Sequence, residues 1–235
     1  MKNEINFNSQ FSIDWEDYLR AIDLSSWYRY YFIVKEVINL EPENILEIGP
    51  GNEVVKNCLK KFVKDYKTMD INSKLKPDIL SDLREFKPEL KEKFDCIICA
   101  EVLEHMPFDD FERNLTNIYN YLIKGGKAII TIPHRKARLM IITPISYQKP
   151  FLIDLPRWIK SSPKSFYQQV IKKRIWIDPH HCLEIGDGRI KRKDIENVFR
   201  KVGFEIEKFA KLLHVDFWIL RKEFYVPCSF NNNSL

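Results

Sequence analysis

Five short apolar runs between Asn44 and Pro133 alternate with stretches of helical periodicity, and this alternation restricts the chain more than any other feature. The first run, ILEI, is closed by Gly49-Pro50-Gly51 and followed by Val55, Cys58, Leu59 and Phe62 at helical spacing. A second run ends at Asp70 and a third covers Asp78 to Ser81. The fourth, FDCIICA, is apolar almost throughout, as expected of a strand covered on both faces. Phe108, Phe111, Leu115, Ile118 and Leu122 then mark a helix predicted to stop at Gly125-Gly126, before the fifth run, KAIITIP. Strands and helices that alternate in this way form a parallel sheet with right-handed crossovers. Its ligand crevice lies outside the carboxyl ends of the strands.

The flanks differ from this core. Upstream, Trp15, Tyr18, Leu19 and Ile22, then Trp27, Tyr30, Tyr31 and Val34, predict two amphipathic helices whose aromatic stripes are packing surfaces. Downstream the alternation breaks after Pro133 and resumes with Ile195, Val198, Phe199 and Val202, a helix ended by Gly203. FEIEKFAKL and DFWILRKEFY follow as an antiparallel pair at the sheet edge. The break is an insertion in which ten basic residues, from Arg135 to Arg174, stand against one acid, Asp154. The whole chain carries only +5, too mild an excess to announce a nucleic-acid partner.

With 235 residues, 45% hydrophobic and 30% charged, the chain is not a disordered or fibrous polypeptide. The polar opening MKNEINFNSQ and the lack of any long apolar run give no expectation of a signal peptide or spanning helix, so a cytoplasmic setting is expected. An odd number of cysteines, five, agrees with a reducing compartment. Cys96 and Cys99 form a CxxC inside a strand, where residues three apart point to opposite faces, so they are expected to be buried, inert thiols.

Gly49 and Gly51 directly after a strand allow close approach of backbone to a ligand. Asp70, at the end of the next strand, can accept two hydrogen bonds from a ribose diol. A dinucleotide fingerprint would need GxGxxG, whereas the chain has Gly49-Pro50-Gly51-Asn52-Glu53-Val54. Pyrophosphate is also repelled by Glu47 and Glu53. A phosphate-free, positively charged ligand such as a sulfonium suits this acidic turn better.

Taken together, ILEIGPGNE, YKTMD, ILSDL, FDCIICAEVLEHM and LIKGGKAIITIP resemble the class I S-adenosylmethionine-dependent methyltransferases. Within that class the likeness is to bacterial small-molecule enzymes such as the quinone-biosynthesis O-methyltransferases and to glycan methyltransferases. The resemblance implies an α/β, Rossmann-like, doubly wound, mostly parallel seven-stranded sheet with an antiparallel edge strand. N-terminal helices and a helical basic insertion after the fifth strand complete it. The chain would be a single domain over 1–235, with 1–40 as a helical cover and 134–190 as an inserted substrate lid. By the same resemblance Glu47, Gly49 and Gly51 line the methionine part of S-adenosylmethionine, and Asp70, with Ile71 beside it, binds the ribose. Asp82 and Leu83 flank the adenine, while Ala100 and Glu101 close the site below the sulfonium. Glu53 departs from the pattern, since relatives often carry a third glycine there.

Methyl transfer to oxygen asks for a group that takes up the acceptor's proton, and histidine has the right intrinsic pKa. His105 and His134 follow the fourth and fifth strands, and His180 and His181 stand in IDPHHCLEIGDG, where Glu184 could orient one of them. Two histidines and a carboxylate could also hold a divalent ion, but Pro179 and the glycines after Glu184 break any helix that would align them, so no metal is expected. The basic insertion predicts a small, phosphate-bearing acceptor, such as a nucleotide-linked sugar or glycan intermediate. The apolar stretches LMIITPI and PFLIDLPRWI within it leave peripheral membrane contact open, with no nucleic acid expected. A nitrogen acceptor, or a catalytically silent cofactor-binding subunit, is the alternative.

Overall fold

In the computed structural model the described residues are 14–144, 150–155, 167, 180–186 and 188–223. Seven strands form one sheet: β1 (Asn44–Ile48), β2 (Asp65–Asp70), β3 (Ile79–Leu80), β4 (Phe94–Ala100), β5 (Leu122–Pro133), β8 (Phe204–Lys211) and β9 (Val215–Lys222). Between β5 and β8 the chain forms a separate antiparallel hairpin of β6 (Ala137–Ile141) and β7 (Phe151–Leu155). The order across the large sheet is β3-β2-β1-β4-β5-β9-β8. Strands β1 to β5 pair in parallel, whereas β9 runs antiparallel between β5 and the edge strand β8.

The alternation of side chains along a strand separates two cores. Leu46, Ile48, Ile97, Cys99 and Ile130 face one side, under α4 (Phe111–Tyr121) and α5 (Arg192–Val202), which contribute Phe111, Leu115, Ile118, Ile195 and Phe199. Ile45, Cys96, Ile98, Ile129 and Phe217 face the other, covered by Ile33 and Val37 of α2 (Leu24–Leu40) and Val55 and Leu59 of α3 (Val54–Leu59). Cys96 and Cys99 thus lie in different cores, both buried, and burial pushes the Cys96 thiol up to about 12.

Register aligns the strand ends. Ile48 pairs with Met69 of β2 and Cys99 of β4, so Gly49, Asp70 and Ala100 emerge together at the carboxyl edge. The order of connection reverses between β1 and β4, the place where open α/β sheets form a crevice. Asp95 fixes the opposite end of β1, accepting from the backbone N–H of Glu43 at 2.9 Å and of Asn44 at 3.0 Å.

Several expectations need correction. The described part of the insertion is a hairpin rather than helical, because the β-branched run before Pro144 and the alternation of ARLMI favour strand. Its remainder, residues 145–149, 156–166, 168–179 and 187, lies outside the described residues. The helix predicted to reach Gly125-Gly126 ends at Tyr121; Gly125 (φ +76) instead lies within β5, beside a register shift opposite Phe94 and Cys96. The N-terminal stripes are only partly packing surfaces. Trp15 of α1 (Trp15–Arg20) and Trp27 are half exposed, and the buried face of α2 is Ile33, Glu36 and Val37.

Candidate functional site

A cavity of about 400 Å³ opens at the carboxyl edge of β1, β2 and β4. Its wall includes Glu47, Gly49, Gly51, Asp70, Ile71, Asp82, Leu83, Ala100 and Glu101, together with His105, His180 and His181. Glu184 is not on the wall but reaches it through His181, whose Nδ1 lies 3.0 Å from Glu184 Oε1. His134 is turned elsewhere: Lys136 N–H donates to its Nδ1 at 3.0 Å and its Nε2 faces the Leu212 carbonyl at 3.4 Å. Burial first and Arg138 second lower its pKa to about 4, so the ring is neutral.

Gly49 (φ +68) makes the turn after β1, and its N–H donates to the Met69 carbonyl at 2.9 Å. A Cβ there would clash with Cγ2 of Val102, so glycine lets the strand end and the loop after β4 approach this closely. A Cβ on Gly51 would be in ordinary contact with the Tyr18 ring, which α1 lays over this turn. Glu53, the departure from the pattern, adopts φ +55 itself and pairs with Lys56 at 2.8 Å.

Asp70 accepts from the Asn72 backbone N–H at 2.8 Å, and burial raises its carboxyl despite that bond. Glu47 is buried and receives Tyr66 O–H at 2.9 Å. Burial dominates and carries its pKa to about 8. Asp82 is already engaged: the Arg84 backbone N–H and side-chain Nε donate to its Oδ1 at 2.8 and 3.0 Å. Burial would raise its pKa, but Arg84 lowers it.

Around Glu101, at the end of β4, stand groups that the sequence did not single out: Arg29, His214 and Glu104. Glu101 has φ +58, an uncommon conformation for a residue with a side chain, held by its N–H donating to Thr131 Oγ1 at 3.1 Å. Arg29 of α2 reaches Glu101 Oε2 at 3.0 Å, and His214, between β8 and β9, brings Nε2 to 3.1 Å from Arg29 Nη1 and 3.5 Å from Glu101. Burial opposes ionisation of Glu101, but Arg29 and then His214 hold it well below the usual carboxylate range. Glu104 is fully buried, and burial, with Glu101's charge behind it, drives its carboxyl far above that range. Arg29 was hidden in the aromatic stripe of α2, and Glu104 stood in the quoted EVLEH without being assigned a part.

The basic insertion presents its described charges to carboxylates. Arg138, its side chain without exposed surface, meets Asp154 at 2.8 Å and Asp216 at 3.1 Å. Lys136 pairs with Asp154 at 3.2 Å, and Arg135 lies 3.8 Å from Glu184. The other seven basic residues of the insertion lie outside the described residues. No helix among the described residues is long and apolar enough to cross a membrane.

A family model described as "Methyltransferase domain" matches residues 28–208. No curated protein sequence matches the chain. Among solved structures, the chain is similar to the N-methyltransferase NodS from Bradyrhizobium japonicum WM9, in complex with S-adenosyl-L-homocysteine. That match has TM-score 0.58 and 11% identity over 92% of this chain and 95% of the other. It is also similar to the 1,6-didemethyltoxoflavin-N1-methyltransferase of Burkholderia thailandensis, TM-score 0.57, with 11% identity, 89% of this chain and 85% of that one. A putative O-methyltransferase from Nostoc punctiforme PCC 73102 gives TM-score 0.55 and 13% identity, covering 88% and 60%. At such identity these likenesses speak for the fold, but the family model spans well over half of the sequence with the site inside it. This chain belongs to the methyltransferase domain family, within the class I S-adenosylmethionine-dependent methyltransferases.

Proposed function

We propose that this methyltransferase acts on a hydroxyl of a small acceptor, of the sugar or glycan-intermediate type. The observation that carries the reading is one cavity lined by Asp70, Ile71 and Leu83 from the β2 and β3 side of β1 and by His105 from the β4 side, with His180 and His181 against His105. The first side fits a nucleoside, offering a carboxylate for a diol and apolar side chains for a flat ring. Glu47 adds a buried acid that a cationic ligand would draw into its charged form. S-adenosylmethionine, when bound, supplies a methyl carbon on a sulfonium.

The residues of the chain then have simple tasks. Tyr18 and Tyr30, from α1 and α2, help to wall the cavity against water. Arg29 and His214 keep the Glu101 carboxylate ionised and fixed at the tip of β4. The three histidines handle the acceptor's proton, with His181 oriented through Nδ1 by Glu184. A hydroxyl needs such help and a neutral amine needs less, which is why oxygen is preferred. An anionic acceptor gains no support from Arg135, Lys136 or Arg138, whose neighbours are carboxylates.

The test is a radiolabelled methyl-transfer screen over nucleotide sugars, phosphorylated metabolites and isoprenoid-linked glycans, with an amine panel beside it. Label on hydroxyl compounds, abolished by replacing one of His105, His180 or His181 without loss of cofactor binding, supports the reading. Label confined to amines, or full activity in all three variants, overturns it.

A further inference from the structure

Helix α2 is apolar on two opposite faces. Ile33 and Val37 turn inward, while Leu24, Trp27, Tyr31 and Ile38 turn to solvent with 72%, 53%, 43% and 45% of their surface exposed. At 3.6 residues per turn these four and Lys35 fall within one stripe about 80° wide, opposite the buried face. A helix that packs against its own chain by one face has no use for a second. The adjoining α1 has no buried residue and leaves Trp15 and Leu19 50% and 39% exposed. Large apolar side chains gathered in this way mark an interaction surface.

The order of residues along the stripe identifies what covers it. Leu24, Trp27, Tyr31, Lys35 and Ile38 follow one another at spacings of three, four, four and three, a series that reads the same from either end. In an antiparallel pair of identical helices, residues equally far from the two-fold axis lie opposite one another. With the axis at Tyr31, Leu24 meets Ile38 of the partner subunit, Trp27 meets Lys35 of the partner subunit, and the two Tyr31 rings meet each other. Lys35 is the one charged side chain of the five, and its ammonium already lies 5.7 Å from the centroid of its own Tyr31 ring. An indole opposite gives it a second aromatic face, and its stem covers apolar surface. A parallel pair in register would instead set Lys35 against Lys35 along the seam. We propose that a second copy of this chain covers the stripe, in an antiparallel two-fold dimer centred on Tyr31.

The area is sufficient. Side chains of this size present about 150 to 250 Å² when fully accessible, so six that are half exposed on average offer roughly 600 Å² per protomer and about 1,200 Å² per pair. That is the lower bound of a stable specific interface, and the dissociation constant is expected to be micromolar. The pairing also reaches the site. Arg29, Tyr30 and Ile33, on the rest of the same helix, border the cavity, so the dimer braces one wall of each cavity. Helix α1, which lays Tyr18 against Gly51, gains from the partner the packing that its own chain does not supply.

The experiment uses the full chain. Sedimentation velocity from about 1 to 200 µM should show a monomer–dimer equilibrium. Tyr31→Glu, which sets two carboxylates on the axis, should raise the dissociation constant more than about tenfold while keeping a cooperative melt and S-adenosylhomocysteine binding. Register is read by oxidative cross-linking mapped by mass spectrometry, with wild type as the background for the native cysteines, of which Cys58 is exposed. Tyr31→Cys should couple to itself, and a mixture of Leu24→Cys and Ile38→Cys should couple to each other. Leu24→Cys alone, its two copies about 20 Å apart along the helices, should not. If Tyr31→Glu fails to fold, the cross-links decide alone. A chain that stays monomeric throughout, a dimer indifferent to Tyr31→Glu, or Leu24→Cys coupling to itself overturns the proposal. A monomer in which Tyr31→Cys alkylates more slowly than Cys58 overturns it in favour of residues 1–13, outside the described residues, as the cover.

Discussion

The proposed placing of Glu47 beside the methyl donor predicts that binding of the donor is linked to a proton. The carboxyl is buried, has Tyr66 O–H as a hydrogen-bond partner, and has a pKa near 8, so it is mostly neutral at pH 7. A cationic ligand beside it favours the carboxylate, which must therefore lose its proton on binding. Ionising a group of pKa about 8 costs about 1.4 kcal/mol at pH 7 and about 2.7 kcal/mol at pH 6. Affinity should accordingly rise about tenfold per pH unit from 6 to 8 and flatten above that. Calorimetry in two buffers of different ionisation enthalpy should show close to one proton released at pH 7. Glu47→Gln keeps the shape and cannot ionise, so subtracting its pH profile removes the titration of the ligand's own amino group. If wild type and Glu47→Gln follow parallel pH profiles and release equal numbers of protons, the linkage does not exist.

Three further outcomes can be checked. Gly49→Ala should lose about 2 to 4 kcal/mol of stability in urea denaturation, combining left-handed backbone with overpacking, and Val102→Ala should recover the overpacking part in the double variant; simple additivity would refute the contact. His134 is held neutral with a pKa near 4 against about 6.5 unfolded, so the unfolded chain binds more protons between these values and stability falls as pH drops through that window. Wild type minus His134→Gln should expose a loss of about 2 to 3 kcal/mol from pH 7 to 4, whereas Glu47, its pKa raised, acts oppositely and cancels in the difference. Arg138→Met strands the buried Asp216 with Arg192 as its remaining partner and should cost about 3 to 5 kcal/mol in denaturant; a change below about 1 kcal/mol would show that the pair does not hold the hairpin.

Strand positions were legible because burial on both faces leaves its mark on every residue. FDCIICA and ILEI could be little else, and the two-residue period correctly sent Cys96 and Cys99 apart. The residues of the cavity wall were legible where they follow a strand end, as Asp70 and Glu101 do. Arg29 and His214 were not, because the pair is separated by 185 positions and meets only after the sheet has brought β9 beside β5. Counting charge in the insertion also did not foretell where Arg135, Lys136 and Arg138 point. A tally of lysines and arginines is blind to direction, and Arg138 points inward to Asp216, a residue from another strand. Glu104 left no periodic signal, since it sits in a 3-10 turn, Leu103–His105, rather than a regular element.

Because Cys96 and Cys99 occupy opposite layers of one strand, the molecule contains two internal timers. Neither thiol can react until its own layer opens. Isotope-coded alkylation would read the exchange of the α2 and α3 layer from Cys96 and that of the α4 and α5 layer from Cys99. Ligand filling the cavity should slow both clocks, since Ile33 and Val55 of the Cys96 layer and Ile48, Met69 and Leu83 of the Cys99 layer all belong to the cavity wall.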